Sequence, residues 1–296
     1  LFLPNDLKDN FYNGFCNSVL WPLFHYFPSY VVYHQAYHDA YEKANELVCS
    51  KVCELYEPGD TIWIQDYHFL MLPGLLRQRL PHAKIGFFLH IPFPSFEIFR
   101  VLPKPWRTTI TRGLLGADLI GVHIPDYVHH VRKCIHKTLG ISEEADGMFS
   151  DQGRKVKVEA FPISIDYDRF HEVAASTSVK NEVKKIRERF GLSCKIMLSV
   201  DRLDYTKAII SRLESFEIFL KDFPQYRERI VYILLMVPTR DGVPKYRENK
   251  KETEVLISRI NGTYGTLNWT PVIYQYRTLD MRKLTALYAA SDVALI

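Results

Sequence analysis

A polar turn carries two cations, Arg202 and Lys207, five residues apart, after the strand-like segment Leu198–Val200. A helical pattern begins directly afterwards, at Ile210. Arginine binds phosphate oxygens in a bidentate manner, lysine acts as a point charge, and a helix N-terminus adds oriented N–H groups. The pattern therefore predicts a diphosphate site. The alternative is a surface pair of Arg202 with Asp204, beside a solvated Lys207.

Two other apolar runs also end in ionisable side chains. Trp63–Gln65 leads into Asp66, and Phe87–Leu89 leads into His90, which the segment Ile91–Pro94 follows. A carboxylate at Asp66 could bind sugar hydroxyls or accept a proton, and the alternative is that it caps a helix. A lone histidine after a strand is more often a structural residue, but the two prolines that stiffen the loop behind His90 strengthen the case for a contacting role.

Short apolar runs alternate with amphipathic segments along the chain. The runs predict strands at Thr61–Gln65, Lys84–His90, Asp118–His123, Val156–Phe161, Cys194–Val200, Arg229–Val237, Val272–Tyr276 and Asp292–Ile296. The amphipathic segments predict helices at Phe69–Leu80, Pro125–Leu139, Val179–Phe190, Ile210–Asp222, Val243–Gly262 and Asp280–Ala290. Continuously apolar strands separated by helices are typical of parallel sheets covered on both faces. The predicted fold class is α/β, doubly wound.

A break in this alternation falls around residues 162–170. We expect two Rossmann-like domains facing one another across a cleft, residues 1–165 and residues 166–296. Ligands of open α/β sheets bind at the carboxyl ends of the strands. The polar segments that directly follow strands are therefore the candidate site.

Composition excludes several classes of protein. The net charge is +4, too small and too evenly distributed to indicate a nucleic-acid or membrane partner. Five scattered cysteines form neither a disulfide framework nor a zinc ligand set. The longest apolar runs have strand length, and a cytosolic location is expected. Because the chain begins at Leu1 and stops within the strand-like Ala294–Ile296, we expect it to be a fragment of a longer protein.

The order and spacing of these segments resemble those of the trehalose-phosphate synthase family, retaining glycosyltransferases with two Rossmann-like domains (GT-B). The resemblance runs through nearly the whole chain. It includes the segments Tyr12–Pro22, Asp66–His68, His90–Pro94, Phe161–Ile163, Asp201–Lys207, Pro238–Arg240, Arg259–Gly262, Trp269–Pro271 and Ser291–Leu295.

The resemblance implies an acceptor site for glucose 6-phosphate. Four positions match the family's acceptor residues, namely Tyr12, Trp21, Asp66 and Arg240. Among them, Arg240 would contact the phosphate. The expected reaction joins glucose from UDP-glucose to this acceptor, with retention, and gives trehalose 6-phosphate and UDP.

The resemblance also implies a donor site. His90 matches a residue that contacts the donor glucose, Arg202 and Lys207 match the pair on the UDP diphosphate, and Leu279 lies where the family touches the uracil. Together with Asp66, the first three would carry catalysis. Neither a cofactor nor a metal is expected, because the family uses none.

Three departures from the family pattern matter. Two segments of the family are missing, namely the glycine-rich donor loop, which comes with an acceptor-binding arginine, and an Asp-Gly-Met-Asn-Leu stretch. Residues 1–296 alone are therefore expected to be inactive or severely impaired. Ala208 stands where the family usually has glycine after the lysine. If the backbone there needs a positive φ, alanine costs about 1 kcal/mol or more. In ordinary helical conformation it would be harmless.

Two further functions remain open within this resemblance. One is a non-catalytic member that senses sugar phosphates or serves as a regulatory subunit. The other is a sister transferase with a different polyol phosphate acceptor. Small-molecule substrates are the expected ligands, and a homo-oligomer or a trehalose-phosphate phosphatase is the expected protein partner.

Overall fold

The structure is a computed structural model that describes residues 2–239 and 244–296, with only the backbone of Pro244. The described residues divide into two compact units, one ending at Ser164 and the other beginning at Ile165. Each unit is built around its own sheet.

The first unit contains a mixed sheet in which most strands are parallel. Its strand order is β1-β2-β3-β5-β4, and only β4 runs antiparallel to its neighbour. Since β1 pairs with β2 in parallel, Gln65 lies opposite Phe88, and both strands end at the same edge. The strands are β1 (Thr61–Gln65), β2 (Lys84–Phe88), β3 (Leu119–Val122), β4 (Met148–Asp151) and β5 (Arg154–Ala160).

Local sequence signals explain where several helices of the first unit begin and end. The His34 side chain accepts a hydrogen bond from Ala36 N at the start of α3. Proline stands at the first turn of α4, α6 and α7, where its missing N–H costs nothing. The helices are α1 (Asn5–Lys8), α2 (Trp21–Phe24), α3 (Gln35–Leu55), α4 (Leu72–Arg79), α5 (Phe96–Phe99), α6 (Lys104–Leu114) and α7 (Pro125–Leu139), with a π-helix at Asp9–Leu20 and 3₁₀ turns at Pro28–Tyr30 and Tyr67–Phe69.

The second unit contains an all-parallel sheet with the order β8-β7-β6-β9. The strands are β6 (Lys195–Arg202), β7 (Ile230–Val237), β8 (Val272–Tyr276) and β9 (Val293–Ala294). The helices are α8 (Tyr167–Ala175), α9 (Thr177–Phe190), α10 (Ile209–Asp222), α11 (Pro244–Tyr264) and α12 (Met281–Ala290), with 3₁₀ turns at Tyr205–Lys207 and Pro224–Tyr226.

Apolar layers cover both faces of the second sheet. On one face, Tyr232 and Leu234 of β7 pack with Phe216 of α10. On the other face, Ile233 of β7 packs with Leu287 of α12. Successive β7 residues point to opposite faces, so nearly every side chain of this strand is buried. The continuous apolar run of β7 is therefore explained by its two-sided burial.

The predicted α/β class is confirmed, and the strands Thr61–Gln65 and Val272–Tyr276 have their predicted bounds. Strand β4 and helix α8 were not predicted, because β4 is a short edge strand and α8 lies in a polar stretch. No helix in the described part of the chain is long and apolar enough to cross a bilayer.

Asp292, at the start of β9, ties two strands of the second unit together. Its carboxylate accepts hydrogen bonds from Arg187 Nη1 at 3.0 Å, from Ile196 N at 2.8 Å and from Lys195 Nζ at 3.2 Å. The bond from Arg187, followed by that from Ile196 N, lowers the pKa of Asp292 to about 2.

We expect Asp292→Asn to lower the free energy of unfolding at pH 7 by about 1–2 kcal/mol, after a discount for partial exposure. An unfolded aspartate titrates near pH 4, so the wild-type advantage should fade as the pH drops from about 4 towards about 2. Urea unfolding of both proteins across this pH range measures the difference. A difference independent of pH would contradict the assignment.

Candidate functional site

Asp66 follows β1 with a backbone conformation that is nearly exclusive to glycine. Its φ is 70° and its ψ is 174°, a region that costs about 1–3 kcal/mol for other residues. Asp66 N donates to Phe88 O at 2.7 Å, and Asp66 Oδ1 accepts from His90 N at 3.1 Å. The side chain makes no helix-cap hydrogen bond. The helix-cap alternative is therefore wrong, and the carboxylate instead lies against the end of β2.

His90 lies just beyond the end of β2 and is exposed. Its Nε2 is 2.7 Å from Gln65 Oε1, on the neighbouring strand β1. Its carbonyl oxygen is 3.1 Å from His123 Nε2, at the end of β3. Three neighbouring strands therefore contribute polar side chains to one edge of the first sheet.

Tyr12 and Trp21 contact the aromatic side chains that follow Asp66, and so they lie near this edge of the sheet. Tyr12 stacks on His68 with ring centroids 5.7 Å apart and an interplanar angle of 8°. Trp21 packs against Tyr67, with centroids 5.7 Å apart. The buried Tyr67 hydroxyl donates to Asn17 Oδ1 at 3.0 Å, which fixes the π-helix to the turn after β1. The structure thus places Tyr12, Trp21, Asp66 and His90 in one cluster of the first unit.

Sequence reasoning missed three residues of this cluster, namely Gln65, His68 and His123. His123 follows β3 as His90 follows β2, so the rule of strand carboxyl ends could have found it. Gln65 and His68 flank Asp66 in sequence, but nothing local indicates that they contact His90 and Tyr12.

Arg202 and Lys207 lie at the carboxyl end of β6 in the second unit. Arg202 is the last residue of that strand, and Lys207 ends the 3₁₀ turn that follows. Both are exposed, and α10 begins two residues after Lys207. Two cations therefore precede a helix N-terminus, where orphan N–H groups and the helix dipole also favour an anion.

The turn between these cations is held by a buried carboxylate. Asp204 is 0% exposed, so it is not the surface carboxylate that the alternative to a diphosphate site required. Its Oδ1 accepts from Thr206 N at 3.0 Å and from Thr206 Oγ1 at 2.9 Å. Its Oδ2 accepts from the hydroxyl of the buried Tyr246 of α11 at 2.9 Å. A charged acceptor strengthens these hydrogen bonds and fixes the turn.

Ala208 adopts the left-handed conformation, with φ 49° and ψ 35°. The structure thereby decides between the two alternatives left open by the sequence. Alanine is strained at this position, where glycine would not be. The strained residue lies between Lys207 and the first residue of α10.

Of the two remaining predicted residues, Leu279 lies apart from the turn that carries Arg202 and Lys207, and Arg240 lies outside the described residues. Leu279 is half-buried after β8, beside a cavity of about 150 Å³ that Phe190, Arg277 and Lys283 also line. Strand β7 separates β8 from β6 in the sheet.

A possible metal-ligand group occurs in the first unit, on a helix that carries none of the residues predicted for the site. Within residues 2–239 and 244–296, only His38, Asp39 and Glu42 of α3 bring three such side chains close enough to share an ion. His38 is buried against Trp106, with centroids 4.9 Å apart, and burial lowers the pKa of His38. Its packing against Trp106 fits a role in the core of the unit.

Both units are α/β, and each carries polar residues at the carboxyl ends of its strands. These features define the class of the GT-B glycosyltransferases. The sequence profile of glycosyltransferase family 20 matches residues 1–296. The chain belongs to that family.

Relatives of known name support this membership. The chain is 43% identical over 294 residues to the bifunctional trehalose-6-phosphate synthase/phosphatase of Thermoproteus tenax, and the match covers 99% of this chain and 40% of the relative. A solved α,α-trehalose-phosphate synthase (UDP-forming) of Burkholderia vietnamiensis has a TM-score of 0.92 at 33% identity, covering 99% of this chain and 62% of that one. The enzyme of Burkholderia xenovorans in complex with glucose-6-phosphate has a TM-score of 0.92 at 29% identity, covering 98% and 64%.

We expect Ala208→Gly to raise the free energy of unfolding by about 1 kcal/mol, because glycine adopts a positive φ without strain. Ala289→Gly is the control, since Ala289 is exposed in the last turn of α12, where the backbone is helical. This control should lose stability, by up to about 1 kcal/mol. Urea unfolding of the three proteins measures both changes, and a loss in Ala208→Gly would contradict the strain.

Proposed function

We propose that the complete protein transfers glucose from UDP-glucose to glucose 6-phosphate and releases trehalose 6-phosphate and UDP, with retention at the anomeric carbon. The chain spans 40% of the length of its Thermoproteus tenax relative, so this activity is proposed for the whole gene product. The names of the relatives support the same reaction.

The observation that carries the proposal is the cationic turn after β6. Arg202 and Lys207 are both exposed at a strand carboxyl end, directly before α10. A departing UDP develops negative charge on its diphosphate, and fixed cations stabilise that charge more in the transition state than in the ground state. The buried Asp204 holds the turn, so little reorganisation is needed when the charge forms.

The cluster of the first unit supplies the groups proposed for the sugars. Asp66 offers a carboxylate to acceptor hydroxyls, Tyr12 offers an aromatic ring stacked on His68, and the buried Trp21 packs behind them against Tyr67. His90 is proposed to contact the donor glucose, with its ring held by Gln65. For the chemical step, we propose front-face attack, in which the acceptor hydroxyl passes its proton to the leaving phosphate.

Several finer assignments accompany this proposal. We propose that Leu279 contacts the uracil, that neither metal nor cofactor takes part, and that the protein works in the cytosol. A phosphatase is the proposed partner, since one relative carries synthase and phosphatase functions in a single chain.

A second candidate function is a non-catalytic member that binds sugar phosphates. The strained Ala208 is the observation that favours it, because the strain lies directly beside the diphosphate cation Lys207. Exposed Arg202 and Lys207 favour catalysis, since a non-catalytic member has no need to keep both.

We expect Lys207→Ala to lower kcat/KM for UDP-glucose by about 10²–10³-fold, the effect of removing one preorganised transition-state contact. UDP release by the complete gene product, with both sugars present, measures this. Lys221→Ala, which removes an exposed lysine from the last turn of α10, is the control and should leave the rate unchanged. Absence of turnover in the wild-type protein would refute the enzymatic function and favour the second candidate.

We expect Arg240→Ala to raise KM for glucose 6-phosphate by about tenfold or more, since a charge-assisted contact to phosphate is worth about 1.5–3 kcal/mol. The affinity for UDP should stay within about twofold. Initial rates at varied glucose 6-phosphate and calorimetric titration with UDP measure the two effects. An unchanged KM would refute the acceptor assignment of Arg240.

A further inference from the structure

Arg212 lies in the first turns of α10, directly behind the cationic turn, and its side chain is only 12% exposed. Its two terminal nitrogens reach four acceptors. Nη1 donates to Ser199 Oγ and to Leu295 O, each at 2.9 Å. Nη2 donates to Asp201 Oδ2 at 2.6 Å and to Lys207 O at 2.7 Å.

These acceptors belong to three separate segments of the second unit. Ser199 and Asp201 lie near the carboxyl end of β6, Lys207 belongs to the cationic turn, and Leu295 directly follows β9. One guanidinium therefore fixes the turn to the carboxyl ends of two neighbouring strands. A planar fork of donors suits this task, whereas the single ammonium of lysine cannot reach all four acceptors at once.

The backbone of Arg212 holds the same turn a second time. Arg212 N donates to Ala208 O at 3.0 Å, so the carbonyl groups of Lys207 and Ala208 are both bonded by this residue. Ala208 is the residue in the strained left-handed conformation. Strained backbone persists where surrounding contacts over-determine it. Arg212 thus supplies the contacts that keep the peptide after Lys207 in its orientation.

The network around Arg212 is closed by further hydrogen bonds. The Ser199 hydroxyl lies 2.8 Å from the Tyr232 hydroxyl and 2.8 Å from Leu295 O. Asp201 balances the charge of Arg212, and its side chain is also 12% exposed. Because the guanidinium has four acceptors and the Ser199 hydroxyl has three partners, the guanidinium has a single well-defined place.

We propose that Arg212 is a positioning residue for the diphosphate site, which aims Lys207 by fixing its carbonyl group to the ends of β6 and β9. This inference rests on the proposed function, since it assumes that Lys207 binds the diphosphate of UDP. Arg212 itself acts through the turn and touches no substrate.

A residue that only stabilised the unit would affect every ligand of that unit equally. A positioning residue for the diphosphate cation should instead weaken the binding of UDP and spare that of uridine, which has the same base and ribose but no phosphate. The ratio of the two affinities therefore separates positioning from stability.

The test is calorimetric titration of the complete gene product with UDP and with uridine, for wild type and Arg212→Lys. We expect the Kd for UDP to rise about tenfold or more, because a small misplacement of a contacting group is costly. The Kd for uridine should stay within about twofold. The UDP-to-uridine affinity ratio should therefore fall about tenfold.

Arg187→Lys is the matched control. Arg187 also donates from its side chain to a backbone oxygen, Cys194 O at 3.3 Å, and to an aspartate, Asp292, at 3.0 Å. These contacts lie before the start of β6, at the opposite end of the strand from Arg202. Arg187→Lys should reduce stability and leave the UDP-to-uridine ratio unchanged.

Asp201→Asn keeps the shape of the network and removes its negative charge, so it provides a second variant if Arg212→Lys does not fold. It should lower the UDP-to-uridine ratio in the same direction, by a smaller factor. If wild type binds UDP and the folded variants keep its ratio, the positioning role is overturned while the proposed function stands. If wild type does not bind UDP, the proposed function is refuted together with the inference.

Discussion

Both candidate sites depend on backbone turns that are strained and are held in place by hydrogen bonds. Asp66 after β1 and Ala208 before α10 both have a positive φ, of 70° and 49°. Neither residue is a glycine, so each turn requires contacts that offset the free-energy cost of the strained backbone conformation. Asp66 is held by the end of β2, through its own N–H and carboxylate. Ala208 is held by Arg212, whose N–H bonds its carbonyl group. The strain thus lies next to the groups proposed for chemistry.

The second unit shows how distant segments position a short cationic turn. The carboxylate of Asp204 meets the Tyr246 hydroxyl 42 residues away in sequence, and Arg212 meets Leu295 O 83 residues away. These polar groups are buried, and a buried group without a partner would be costly. The parallel sheet makes the contacts possible, because it brings the carboxyl ends of β6 and β9 side by side. Lys207 is left exposed on a turn whose backbone is fixed from behind.

In the first unit, aromatic packing positions residues of the candidate site. The π-helix brings Tyr12 onto His68, while Tyr67 is buried between Asn17 and Trp21. π-Helical segments are rare and often occur at functional sites. A Cβ on Gly14 would lie 2.6 Å from the Tyr37 ring, so the close approach of this segment to α3 requires glycine. Tyr12 and Trp21 are therefore placed by aromatic packing, whereas Asp66 is placed by hydrogen bonds.

The α/β class, most strands and the turn with Arg202 and Lys207 could be predicted from the amino-acid sequence, because apolar periodicity and the residues after a strand are local properties. The sequence did not determine β4 or α8, whose stability depends on neighbours in space. It also left the conformation of Ala208 undecided, because alanine carries no local signal for a positive φ. Only the tertiary structure showed that Asp204 is buried and that Arg212 bonds three segments at once. Those contacts join residues far apart in the chain, and no local pattern records which partner a buried polar group finds.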